Sequence, residues 1–116
     1  MKPASKKYSV GVHVWVAAED GHFLGLGRVQ LLEHIKNTGS ITHAAKAMKM
    51  SYRQAWQMVE DMNEMANKPL VEKILGGKKG GGATVTKAGE KAIALFYEIE
   101  KDIFKLSNKL SMKIKI

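Results

Sequence analysis

Three helical patterns follow one another between residues 28 and 67 with almost no chain between them, and this crowding most restricts how the sequence can fold. Residues 28–38 place Val29, Leu32 and Ile35 at helical spacing, and Gly39 follows as a stop that takes positive φ without steric cost. Ser40 is a cap for a second, short helix, whose stripe of Ile41, Ala44, Ala45 and Met48 contains alanines small enough to admit a close neighbour. After a break at Lys49-Met50, Ser51-Tyr52-Arg53-Gln54 fits a capping box that opens a third helix running to about Asn67. Its inward residues are Ala55, Met58, Val59, Met62 and Met65, while Arg53, Gln54, Gln57, Glu60, Asp61 and Glu64 face elsewhere. Pro69 prevents continuation, because proline lacks the amide N–H and its ring clashes with the preceding turn.

The flanks read differently. In residues 8–16, Tyr8, Val10, Val12, Val14 and Val16 alternate with other residues, the period of two of a half-buried strand. Glu19-Asp20-Gly21 is a turn signal, and His22-Phe23-Leu24 is expected to return as a second strand before Gly25-Leu26-Gly27 breaks the pattern. Residues 70–75 and 83–86 read as short strands joined by the glycine-rich, basic stretch 76–82, which makes a wing-like hairpin. Beyond Thr86, Ala92, Phe96, Ile99, Ile103, Leu106 and Leu110 recur at spacings of 4 and 3, a seam lasting under three heptads and suited to a partner helix.

The expected fold class is therefore α+β, mainly α: a winged helix-turn-helix with an N-terminal strand or hairpin, a glycine-rich wing and a long C-terminal dimerisation helix. Its 116 residues fit one domain, with the helix-turn-helix and wing in residues 27–86 and the dimerisation helix in 87–110. Nineteen Lys and Arg against eleven Asp and Glu leave a net charge of +8, a field that attracts polyanions. The absence of cysteine removes disulfides, thiolate metal sites and cysteine nucleophiles. No stretch is long and apolar enough to span a bilayer, so no membrane partner is expected, and the cytoplasm is the expected location. His13, His22, His34 and His43 match no ligand spacing and no Ser/His/Asp arrangement is identifiable, so neither a metal, a cofactor nor an enzyme activity is expected.

Two short helices with a tight break, the second opening on polar and cationic side chains, have the form of a helix-turn-helix that enters the major groove of DNA. Arg53 lies near the positive end of the third helix, whereas Glu60, Asp61 and Glu64 lie in later turns where phosphate repels them, so the N-terminal end is expected to point at the duplex. Arg53 suits guanine, Gln54 and Gln57 suit adenine, and Ser51 and Tyr52 suit phosphate. Ser40 and Thr42, opening the preceding helix, and Lys78 and Lys79 on the wing complete the candidate DNA contacts. Trp56 suits either stacking on a base or packing between helix and wing, and packing is the favoured reading. Alternatives left open by the residues are a non-specific architectural DNA binder and a protein-interaction module that recruits a partner through the seam.

The run Met50-Ser51-Tyr52-Arg53-Gln54-Ala55-Trp56 carries a more specific signal, together with Gly39-Ser40-Ile41, Ala44-Ala45-Lys46, Leu70-Val71-Glu72 and the glycine-rich stretch from Gly76 to Ala83, followed by Thr86 and Gly89. Over residues 27–100 the chain resembles the N-terminal DNA-binding domain of the ModE family, the molybdate-responsive transcriptional regulators. The resemblance implies a LysR-like winged domain, a homodimer formed mainly through the long C-terminal helix, and a palindromic double-stranded operator near molybdenum-related genes. Recognition-helix contacts carry over to Ser51, Tyr52, Arg53, Gln54 and Gln57, and wing contacts to Lys78 and Lys79. The family's oxyanion-binding modules lie C-terminal to this domain, so with the sequence ending at Ile116 no molybdate binding is expected within this chain.

Overall fold

The computed structural model describes residues 5–74 and 82–116, ordered as β1 (Trp15–Ala18), β2 (Gly21–Gly25), α1 (Leu26–Thr38), α2 (Ile41–Ala47), α3 (Tyr52–Met65), β3 (Val71–Ile74), β4 (Gly82–Val85) and α4 (Lys87–Ser111). Two antiparallel hairpins flank the helices, β1 with β2 and β3 with β4. Leu75, Lys78 and Lys79 lie outside the described residues.

The helical boundaries follow from local chemistry. Gly39 ends α1 in the left-handed conformation at φ 69°, where its N–H donates to the Ile35 carbonyl. Ser40 Oγ accepts the His43 N–H at 3.1 Å and Ser51 Oγ accepts the Gln54 N–H at 3.0 Å, so each hydroxyl satisfies one orphan donor of the helix it opens. Among the described residues Gln54 makes no return bond to Ser51, so only half of the capping box forms; the Gln54 side chain is exposed instead. Between α2 and α3 the sharp turn puts Lys49 at φ 56°, an uncommon conformation for a residue with a side chain.

One apolar core holds these elements together. Val29, Leu31, Leu32 and Ile35 of α1, Ile41, Ala44 and Ala45 of α2, and Ala55, Val59 and Met62 of α3 are buried against Leu70, Val71, Ala83, Ala92 and Phe96. The wing is seated on this core at three points. Ala83 N–H donates to the Gly39 carbonyl at 2.9 Å, Thr86 N–H donates to the Leu70 carbonyl at 3.0 Å, and Thr86 Oγ1 donates to the Pro69 carbonyl at 2.7 Å. Thr86 Oγ1 also accepts the Gly89 N–H and so caps α4. Tyr97 of α4 donates its hydroxyl to Glu33 of α1, a hydrogen bond to a carboxylate that, with partial burial, pushes the phenol up to about 12 and keeps it a donor at neutral pH.

Two expectations from the sequence are corrected. The first strand does not span residues 8–16: it begins at Trp15, which pairs with Gly25, and beyond Gly25 the chain enters α1. Residues 8–14 thus have no strand to pair with, and Val10 N–H donates instead to Ser111 Oγ on the last turn of α4 at 2.8 Å. The burial alternation holds only in residues 14–16, with Val14 and Val16 half-buried and Trp15 exposed, whereas Tyr8 and Val12 on the expected inner side are exposed. The second correction concerns the seam on α4, where Ala92 and Phe96 face the chain's own core, leaving Ile99, Ile103, Leu106 and Leu110 as its remaining part. Leu106 and Leu110 are exposed. The molecule measures 68 × 34 × 21 Å with a radius of gyration of 18.5 Å, well above the roughly 13 Å of a compact domain of this length, because the distal half of α4 extends past the core.

Gly89 explains how α4 comes so close to the wing. A Cβ at this position would stand 2.6 Å from Val85 Cγ1 and 2.3 Å from the Leu70 carbonyl oxygen, a backbone atom that cannot relieve the clash by changing rotamer. Gly89→Ala is therefore expected to destabilise the fold by about 1–3 kcal/mol in denaturant unfolding, despite alanine's higher helix propensity. Gly27→Ala, with open space around the new methyl, is the control and is expected to be neutral or mildly stabilising. Equal stability of the two variants would contradict this packing.

Candidate nucleic-acid interface

The exposed edge of α3 begins at its N-cap. Ser51, Tyr52, Arg53, Gln54 and Gln57 are all exposed, and no acidic residue lies in the first turn. Arg53, Gln54 and Gln57 line one shallow surface hollow with Ser51, Met58 and Asp61, so the structure brings the three proposed base readers together. Tyr52, one turn before Trp56, does not line that hollow. Ser40 is half-buried and engaged in capping, while Thr42 is exposed at the start of α2. Amide groups at the N-terminal end of α3 and the guanidinium of Arg53 favour an anion at this end of the helix.

Trp56 stays exposed and meets the wing through Lys73. Lys73 of β3 sets its Nζ 4.5 Å from the centre of the indole ring and also pairs with Glu60. One lysine thus covers the tryptophan face and neutralises the first acid of the later turns. The second acid, Asp61, accepts from Gln57 Nε2 at 2.8 Å and lies 3.7 Å from Arg28 Nη2. Arg28 in turn donates through Nη1 to the carbonyls of His22 at 2.7 Å and Phe23 at 3.0 Å, which joins β2 to α3.

The strongest link between α3 and the wing is the Asn63 carboxamide. Its Oδ1 accepts from Leu70 N–H at 2.8 Å and Val71 N–H at 3.2 Å, and its Nδ2 donates to the Val71 carbonyl at 2.9 Å. These bonds fix the origin of β3 against the third turn of the helix. Asn63, Arg28 and Lys73 were not among the residues singled out from the sequence, because each acts through a partner distant along the chain and no local spacing marks it. The capping residues and the polar opening of α3, by contrast, are local signals.

Among the described residues no group of His, Asp and Glu is placed to hold a metal ion, and no helix is long and apolar enough to cross a membrane.

Known proteins resemble this arrangement. Residues 26–90 match the family of bacterial regulatory helix-turn-helix proteins of the lysR type. The chain is 46% identical over 69 residues to a transcriptional regulator ModE of Yersinia pestis, a match covering 60% of this chain and 26% of that protein. It is 45% identical over 91 residues to a molybdenum-pterin-binding protein MopB of Rhodobacter capsulatus, covering 78% of this chain and 34% of that protein. A molybdenum transport protein ModE of Azotobacter vinelandii is 37% identical over 87 residues, covering 75% and 32% respectively. The chain thus spans about a quarter to a third of the length of these relatives. A solved LysR family transcriptional regulator superposes with a TM-score of 0.53 at 15% identity, over 69% of this chain and 26% of that one, and shares the fold. The ModE resemblance carried by residues 50–56 and the glycine-rich wing is borne out, and the chain belongs to the lysR family of bacterial regulatory helix-turn-helix proteins, with ModE-type regulators among its relatives.

Proposed function

We propose that this chain is the DNA-binding part of a ModE-type transcriptional regulator that acts in the cytoplasm by binding a palindromic operator as a homodimer, and not by catalysis. The observation that carries this reading is the distribution of charge along α3. Its N-terminal half presents Ser51, Tyr52, Arg53, Gln54 and Gln57 without an acid, while Glu60 and Asp61 farther along are each paired with a cation of the same chain. A duplex approached from the N-terminal end of α3 meets donors first and little uncompensated negative charge. Arg53 forks to guanine, Gln54 and Gln57 address adenine edges in the major groove, and Ser51 and Tyr52 hold phosphate. Ser40, Thr42, Lys78 and Lys79 add sequence-independent phosphate contacts. A link of the regulated genes with molybdenum is supported by two of the relatives, a molybdenum transport protein and a molybdenum-pterin-binding protein. No molybdate site is proposed within this chain.

Selection of bound fragments from genomic DNA identifies the operator and tests specificity together. On such a fragment Arg53→Ala is expected to lower affinity about ten- to hundredfold and to relax preference at one base pair. Lys78→Ala or Lys79→Ala is expected instead to weaken binding evenly across sequences and to reduce the salt slope by about 1. A folded Arg53→Ala protein with undiminished affinity contradicts major-groove reading by α3.

The dimer is supported by the distal stripe of α4. Leu95, Leu106 and Leu110 are exposed and Ile99 and Ile103 half-buried along a helix that has left its own core. Pairing with a second copy would cover them. Ile99→Asp, which places a charge in that contact, is expected to sediment as a monomer at concentrations where the unaltered chain is a dimer. An unaltered chain that sediments as a monomer contradicts the dimer.

A further inference from the structure

Among the described residues, Gln57 is the one proposed base reader whose side chain is already held by another residue. Its Nε2 donates to Asp61 Oδ1 at 2.8 Å, four residues on along the same face of α3. A carboxylate only accepts, so the contact fixes the sense of the amide: nitrogen toward Asp61, Oε1 turned away from it. One N–H of the amide remains unused beside Oε1. That acceptor and donor, side by side and in fixed order, match the N6 amino group and N7 of adenine in the major groove.

Asp61 is itself held. Arg28 Nη2 lies 3.7 Å from Oδ2, and the Arg28 side chain is only 21% exposed. Its Nη1 is anchored on the carbonyls of His22 and Phe23. A chain of contacts therefore runs from the backbone of β2 through Arg28 and Asp61 to the amide of Gln57. The guanidinium also offsets an acid that would otherwise repel phosphate near the reading edge.

We propose that Asp61 is a specificity-determining positioning residue, which selects the orientation in which Gln57 presents its amide to a base pair, with Arg28 holding Asp61 in place. This rests on the reading of α3 as the element that enters the major groove. Asp61 touches no base. Its removal leaves Gln57 free to rotate about its last torsion and to offer donor and acceptor in either order, which broadens the bases accepted at one position without removing the reader.

The test is a binding panel in which the full chain is titrated against the selected operator fragment and against versions carrying every single base-pair substitution. Gln57→Ala identifies the base pair at which its discrimination is lost. At that pair Asp61→Ala is expected to reduce discrimination about five- to twentyfold and to leave the other positions within about twofold. Asp61→Asn offers a carboxamide that can donate to Gln57 as well as accept from it, so the sense is no longer fixed and discrimination is expected to fall as in Asp61→Ala. In a Gln57→Ala background, Asp61→Ala is expected to change discrimination no further, because the orientation it controls no longer exists. The inference is overturned if Asp61→Ala discriminates like the unaltered chain, if its effect persists in the Gln57→Ala background, or if Asp61→Asn keeps the discrimination of the unaltered chain. It is equally overturned if Gln57→Ala shows no position-specific loss. Failure of the underlying reading is distinct, since the unaltered chain then binds every substituted fragment equally.

Discussion

The placement of the wing relative to α3 depends on the Asn63 carboxamide, which satisfies two backbone donors and one backbone acceptor at the start of β3. A helix and a hairpin packed only through apolar side chains can slide against each other at small cost, whereas three directional bonds to one side chain define a single register. The other wing strand is fixed with equal economy: Ala83 bonds to the Gly39 carbonyl, and Thr86 closes the base of the hairpin while capping α4. The left-handed Gly39, the close approach at Gly89 and the Asn63 clamp thus act on one problem, the rigid joining of α1, α3, α4 and the wing. A DNA reader needs that rigidity, since contacts to a groove edge are lost within an ångström or so of displacement.

Charge is arranged on the same scaffold. A net charge of +8 attracts any polyanion and selects none of them. What gives the surface direction is that Glu60 and Asp61, the acids closest to the reading end, are matched with Lys73 from the wing and Arg28 from the start of α1. Both pairs are partly exposed and contribute little to stability. Their effect is local and geometric: Lys73 spans Trp56 and Glu60, and Arg28 links β2 to Asp61.

Much of this was legible in the sequence where the determining physics is local. Gly39, Ser40, Ser51 and Thr86 mark the helix boundaries because capping and positive φ are properties of a few adjacent residues. The core positions of α1 and α3 follow from their period. The failures have the same explanation in reverse. The alternation in residues 8–16 corresponds to one-sided burial only in residues 14–16, because a strand also needs a partner, and β2 ends at Gly25. The heptad spacing of α4 was likewise real, yet periodicity cannot tell a residue that faces its own core from one that faces a second copy, and Ala92 and Phe96 proved to be the former. Arg28, Asn63 and Lys73 were invisible because their partners are brought near only by the fold.

The central claim, that the N-terminal end of α3 lies in the major groove, is tested most directly by chemical interference on the bound operator. Methylation of guanine N7, which projects into the major groove, is predicted to block binding at guanines within each half-site, in two clusters about one helical turn apart. Tight binding that is indifferent to N7 methylation throughout the fragment would contradict the account, since an α3 that reads guanine through Arg53 in the major groove cannot tolerate a methyl group on that atom.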